Sequence, residues 1–241
     1  MTLTKAKKAL QQNADPLRAK HALRFFKTAK GEYAEGDKFI GVTMPVLRKL
    51  ANEFIQLEIS QIEKLLQSKI HEERMLALLI LMFQFNIAKK QDNTHQQKII
   101  YEYYLSQIEH INNWDLVDTT CRDIVGGFLL DKPKKHKDIL IKLSKSPGLW
   151  EKRIAVVSTW QFIREQQFDY TLQISKILLH DEHDLIQKAV GWMLREVGKK
   201  DLQTLIQFLH PHYRTMPRTM LRYSIEKLEE ELRQNFLKGR I

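Results

Sequence analysis

Trp114 and Asp118 lie in the stretch INNWDLVDTTCRD, residues 111–123. On a helix a spacing of four places both side chains on one face. The chain around them holds 39 Lys and Arg against 29 Asp and Glu, a formal net charge of +10. Such an excess makes a polyanion, nucleic acid or an anionic membrane surface, the first expected partner. A carboxylate set in a phosphate-binding surface opposes that binding, so it should have another task. One such task is stabilising positive charge that develops on a bound nucleotide, as when an N-glycosidic bond breaks and the sugar becomes oxocarbenium-like. At 4 Å and an effective dielectric of 20 a carboxylate and a cation attract by about 4 kcal/mol, a rate factor on the order of a thousand. That suffices only when the leaving group is already good, as a purine made cationic by ring alkylation would be.

Other residue clusters offer less. Cys121 is the only cysteine, which excludes an intrachain disulfide and suits a reducing compartment. With no histidine identifiable as its partner it reads as a small packed residue. HDEHD, residues 180–184, lacks the HExxH spacing of a zinc site and reads as a polar turn with an N-cap. Gly126-Gly127 has no phosphate-cradling pattern around it and reads as an interruption late in a helix. DKPKKHKD, residues 131–138, is a charged turn, more simply a solvated loop than a DNA contact. No metal or other cofactor is expected.

The N-terminus has no apolar core of signal-peptide type, and the longest apolar run, Met75 to Phe83, is too short for a bilayer. The expectation is a soluble, unprocessed, cytoplasmic protein with no membrane partner.

The elements that must hold Trp114 and Asp118 are helices. The chain has 9 Gly and 6 Pro, and apolar residues recur at three- and four-residue spacing almost throughout, leaving strands no convincing site. Asp15-Pro16 should open a helix ending before Gly31, Pro45 should occupy a first helical position, and Ser60 with Glu63 should form a capping box. Further helices are predicted near 71–88, 94–109, 113–130, 134–144, 148–164, 168–179, 184–198, 201–210 and 216–234.

No linker divides the chain, and it contains internal repetition. EERMLALLIL, EKRIAVVSTW, IQKAVGWMLR and TMLRYSIEKL superimpose with a basic residue in one slot: Arg74, Arg153, Lys188 and Arg222. The last three slots are 35 and 34 residues apart, an interval that suits a helix–turn–helix unit. The period is HEAT-like, though shorter than usual. The fold class is therefore all-α, a solenoid of stacked antiparallel helix pairs forming a single domain, residues 1–241, with a concave basic face. A slot 35 residues before Arg153 falls on Asp118, which places the acid in a ladder of cations.

EYAEGDKFIGVTMPVLRKLA, NNWDLVD, LWEKRIAVVSTW and AVGWMLREVGKKD resemble, in order and spacing, the corresponding segments of the AlkD-type DNA alkylation repair enzymes, a family of HEAT-like-repeat DNA glycosylases. The resemblance covers nearly the whole chain. It implies that Asp118 is the catalytic carboxylate, that Trp114 and Trp192 are paired aromatic residues against the lesion's deoxyribose, and that Arg153 contacts a DNA phosphate. It further implies excision of cationic N3- and N7-alkylated purines from double-stranded DNA by a monofunctional glycosylase, without extrusion of the base. The expected protein is a monomer that needs no obligate protein partner and meets the nucleoid through DNA.

The residues alone leave other roles open. Tryptophans on amphipathic helices are mostly core, and Trp150 and Trp160 are assigned to packing. Asp118 suits a helix surface or the tying of a neighbouring helix end. Arg153 suits a bridge between repeats, and the whole chain suits a HEAT-like module that binds nucleic acid or protein and performs no chemistry.

Overall fold

The structure is a computed structural model and describes residues 2–241. It falls into two compact units, residues 1–124 and 125–241. Among the described residues there is no β-strand, only an isolated bridge between Lys38 and Ile70.

The first unit contains α1 (Leu3–Gln12), α2 (Pro16–Phe25), α3 (Met44–Glu53), α4 (Ile59–Leu66), α5 (His71–Lys90), α6 (Thr94–Ser106) and α7 (Trp114–Cys121). Its centre is α5. Every residue from Met75 to Met82 is buried there, so this helix is apolar around its circumference, as a helix surrounded by others must be. It packs on α3, α4, α6 and α7.

The second unit contains α8 (Gly127–Leu129), α9 (Lys134–Ser144), α10 (Leu149–Ser158), α11 (Trp160–Arg164), α12 (Asp169–Ile177), α13 (Asp184–Lys200), α14 (Leu202–Leu209), α15 (Arg218–Ser224) and α16 (Glu230–Lys238). Here α10 packs on α9, α13 on α12 and α14, and the inner helices follow one another, α10 on α13 and α13 on α15. Successive helix pairs stacked through their second members are the all-α solenoid arrangement that the 35-residue interval predicts.

The differences from the expected boundaries have local causes. In α1 only Ala6 and Leu10 are buried, too weak a periodic signal to have announced a helix. The capping box lies two residues early, on Glu58 and Gln61, with the Glu58 N–H donating to Gln61 Oε1 at 3.3 Å; α4 therefore begins at Ile59, ahead of Ser60. The expected helix 148–164 breaks at Thr159, whose hydroxyl turns back to donate to the Val156 carbonyl at 2.6 Å. The expected helix 216–234 is two helices, α15 and α16.

The helix expected over 113–130 runs as α7, a π-helical turn at Arg122–Gly126, and α8. The Gly126-Gly127 interruption has a packing reason. A Cβ at Gly126 would lie 2.3 Å from the Ser158 carbonyl oxygen at the end of α10, so the backbones approach too closely for any side chain.

Candidate nucleic-acid site

In the first unit, Trp114 is the first residue of α7, preceded by Asn113 in an extended conformation. Its indole N–H donates to the Tyr33 hydroxyl at 3.1 Å. The ring stacks on Phe26, with centroids 5.5 Å apart and planes 29° apart, and meets the edge of Phe25 at 5.8 Å. Phe26 stacks in turn on Phe39 at 5.0 Å and 10°, and Phe39 on the His71 imidazole at 4.6 Å and 24°. Trp114 is thus the half-buried end of an aromatic column. Its orientation is fixed by one hydrogen bond and by ring contacts. Phe25, at the end of α2, stays 66% exposed beside it.

Asp118 lies one turn further along α7 and is half-buried. Beneath this helix is Tyr104, fully buried, its hydroxyl 3.0 Å from the Thr120 hydroxyl. Burial pushes the Tyr104 phenol well above its usual range; Cys121 and Asp118 push the same way, against the hydrogen bond shared with Thr120. Tyr104 therefore stays neutral across the physiological range. Cys121 is buried in the same layer, as a packed residue.

Behind the aromatic column lies a charged network that the composition did not foreshadow. His71, Glu72, Glu73 and Arg74 open α5 and are all buried. His71 Nε2 is 2.8 Å from Asp115 Oδ2, and Nδ1 is 3.3 Å from Asp37 Oδ2. Arg74 donates to the same Asp37 oxygen at 2.7 Å and to the Ser68 carbonyl at 3.0 Å. Glu72 accepts from the Ile40 and Gly41 N–H groups, at 3.0 and 2.7 Å, and Glu73 pairs with Lys7 at 2.7 Å. Burial alone would lower the His71 pKa, yet the adjacent Asp115 carboxylate, helped by the hydrogen bond to Asp37 and opposed by Arg74, raises it to about 9. Burial raises the Asp37 carboxyl, but His71 and Arg74 hold it below its ordinary value.

In the second unit, Arg153 on α10 is 5% exposed, and its guanidinium donates to the Leu185 carbonyl at the start of α13. That contact ties two stacked repeats together, as the bridging role requires. Lys188 on α13 pairs with Asp184 at 2.8 Å, and this hydrogen bond raises its pKa against some desolvation. Trp192, one turn beyond Lys188, is half-buried and donates to Glu196 Oε1 at 3.2 Å; Lys199 donates to both oxygens of that carboxylate at 2.8 and 2.9 Å. Arg195 pairs with Glu226. Arg222 is exposed on α15.

The ladder slots do fall on helices that stack in succession: Arg153, Lys188 and Arg222 on α10, α13 and α15, and Arg74 and Asp118 on α5 and α7. The cations in those slots do not all face solvent. Arg74, the first rung, is 4% exposed and neutralised by Asp37. A buried guanidinium needs a counter-charge, and a slot counted along the chain carries no information on whether its neighbour supplies one.

HDEHD is a polar turn. Asp181 accepts from Lys152 at 2.8 Å, and the His183 side chain caps α13 by accepting from the Leu185 N–H at 3.2 Å. Among the described residues no group of three His, Cys, Asp or Glu is arranged to hold a metal ion, and no helix is long and apolar enough to cross a membrane.

Sequence reasoning missed Tyr33, Phe26, Phe39, His71 and Asp115. The aromatics lie on or beside the irregular segment between α2 and α3, which has no periodicity to read. His71 shows a signal only in retrospect, in four polar residues, 71–74, directly before an apolar run, and Asp115 shows none.

Fold and site together define a helical-repeat protein of paired α-helices that presents an aromatic plate and a carboxylate from one helix. The chain belongs to the DNA alkylation repair enzyme family, whose model matches residues 6–228. A solved structure described as a predicted DNA alkylation repair enzyme from Enterococcus faecalis shares the fold, with a TM-score of 0.65 and 16% identity over 90% of this chain and 98% of that one. A comparison with curated proteins gives no match.

Proposed function

We propose that the protein is a monofunctional DNA glycosylase that releases cationic N3- and N7-alkylated purines from duplex DNA. Family membership supports a role in DNA alkylation repair. The observation that carries the finer reading is the pairing on α7 of a half-buried, hydrogen-bonded tryptophan with a half-buried carboxylate one turn away.

In this reading the bond between C1′ and the purine nitrogen breaks with its electron pair leaving on the base, which becomes neutral. The sugar becomes oxocarbenium-like, and the Asp118 carboxylate stabilises that charge. Water then adds at C1′ and releases a proton. The leaving group is already cationic, so no strong general acid is needed. Trp114, with Trp192 as its proposed partner, lies against the deoxyribose rather than enclosing the base, and the base stays in the helix. Arg153 is proposed to contact a phosphate. The working unit is the whole chain as one domain and a monomer, without a cofactor.

The test is single-turnover base release from duplex DNA carrying N7-methylguanine. Asp118→Asn should bind that duplex at least as tightly as the parent, because a charge that repels phosphate is gone. Its release rate should fall by up to roughly three decades, the factor that about 4 kcal/mol represents. A variant with unchanged release would remove the catalytic role. A parent that binds duplex and releases nothing would make the chain a binding module.

A further inference from the structure

The charged network meets α7 at one point, Asp115, which lies between Trp114 and the turn that carries Asp118. The carboxylate of Asp115 holds the His71 imidazole at 2.8 Å, and its other oxygen accepts from the Leu116 N–H at 2.8 Å. His71 is held on its far side by Asp37, itself pinned by Arg74. The imidazole therefore ties α5 and the segment before α3 to the first turn of α7.

Packing does not make this tie redundant. A cavity of about 190 Å³ opens beside His71 and Asp115, walled mainly by Phe26, Phe39, Met44, Leu47 and Met75. On that side the first turn of α7 borders open space rather than close-packed atoms, so the hydrogen bonds to Asp115 add a tie that packing there does not supply. Aromatic stacking transmits the setting, because Phe26 touches both the His71 ring, at 5.1 Å, and the Trp114 ring.

We propose that His71 is a positioning residue for base release: its doubly hydrogen-bonded imidazole, held between Asp37 and Asp115, fixes the first turn of α7 and with it the setting of the Trp114 ring and the Asp118 carboxylate. The inference rests on the glycosylase reading for its effect on rate, and on geometry alone for its effect on Trp114.

Protonated His71 donates to both carboxylates; neutral His71 donates to only one and leaves the other facing a lone pair. The clamp is therefore complete below the pKa of about 9 and half-made above it. The charged groups around the ring are Asp37 from the segment before α3, Asp115 from α7, Arg74 and Glu72 from α5, and Arg18 of α2 at the rim of the cavity.

Two measurements on the full chain test this. In protein labelled with 5-fluorotryptophan, the Trp114 fluorine resonance, assigned through Trp114→Phe, should move between pH 7 and 10 with a midpoint near 9. It should not do so in His71→Gln. In Asp115→Asn, which retains the shape of the side chain, the midpoint should fall towards the ordinary histidine value of 6.5. Second, single-turnover release of N7-methylguanine, corrected for enzyme-free release, should decline in the parent above the same midpoint. In His71→Gln it should be roughly tenfold slower at pH 7.5 and flat from pH 8 to 10, since small misplacements of reacting groups cost that order of rate. Duplex affinity should stay within about twofold, because His71 is buried, away from the surface a phosphate would meet.

A Trp114 resonance that does not titrate in the parent overturns the proposal, as does a His71→Gln rate with the parent's value and alkaline decline. A parent that releases no base refutes the glycosylase reading instead. The fluorine titration then still decides whether His71 sets Trp114.

Discussion

Alkaline pH should loosen the first unit by an amount that follows from His71. In the unfolded chain this histidine has its ordinary pKa of 6.5, and in the fold its pKa is about 9. The folded state therefore binds the proton more tightly, and stability falls as pH rises between these values. Below pH 6.5 both states are protonated and the full contribution is present. The difference between the two values corresponds to about 3 kcal/mol. Near pH 7.5 about 2 kcal/mol of it should remain, and by pH 10 almost none. Lysines and tyrosines also titrate at the upper end, so the quantity to measure is the difference between the parent and His71→Gln. Urea unfolding at pH 6, 7.5, 9 and 10, read through midpoints at equal m-values, should show that difference shrinking by about 3 kcal/mol across the range. A difference that stays constant with pH would mean that His71 is not held as a cation, and the reasoning from the Asp115 and Asp37 contacts would fail.

Gly126→Ala should destabilise the second unit by about 1–3 kcal/mol, because its Cβ would meet the Ser158 carbonyl at 2.3 Å; thermal unfolding measures this, and an unchanged Tm would contradict the close approach. Arg153→Ala separates two roles. If the guanidinium contacts a phosphate, duplex binding should weaken and the slope of log K against log salt should flatten by about one phosphate's worth. If its bond to the Leu185 carbonyl is its main task, the salt slope should stay and thermal stability should fall. Substrate range tests the single-carboxylate mechanism: cationic N3-methyladenine and N7-methylguanine should be released from DNA, whereas uracil, hypoxanthine and 8-oxoguanine should not be released at comparable rates, because a factor on the order of a thousand cannot rescue a poor leaving group. A bulky cationic N7 adduct should still be processed, and rapid uracil excision would reveal a base-enclosing pocket.

The all-helical class, the stacked repeat pairs and the residues on α7 were legible in the sequence for a physical reason. Helix faces impose a short-range period, and a solenoid repeats it at a fixed interval, so Arg153, Lys188 and Arg222 could be counted onto α10, α13 and α15 before any contact was known. Trp114 and Asp118 could be placed on one face because four residues of helix bring them there wherever the helix lies.

Counting could not say what those side chains meet. Arg74 matched the ladder in sequence and turned inward, because Asp37, 37 residues earlier, supplies the counter-charge that lets a guanidinium be buried. His71 and Asp115 are 44 residues apart, and Tyr33 reaches Trp114 across 81. No local period encodes a pairing over such distances, and the segment that carries Tyr33, Asp37 and Phe39 has no helix to give it one. Sequence fixed the faces of the helices, whereas the tertiary fold decided which charges are neutralised, which aromatic ring is held in place, and by what. Periodicity is a property of one helix, but burial and ionisation depend on every element packed around a group.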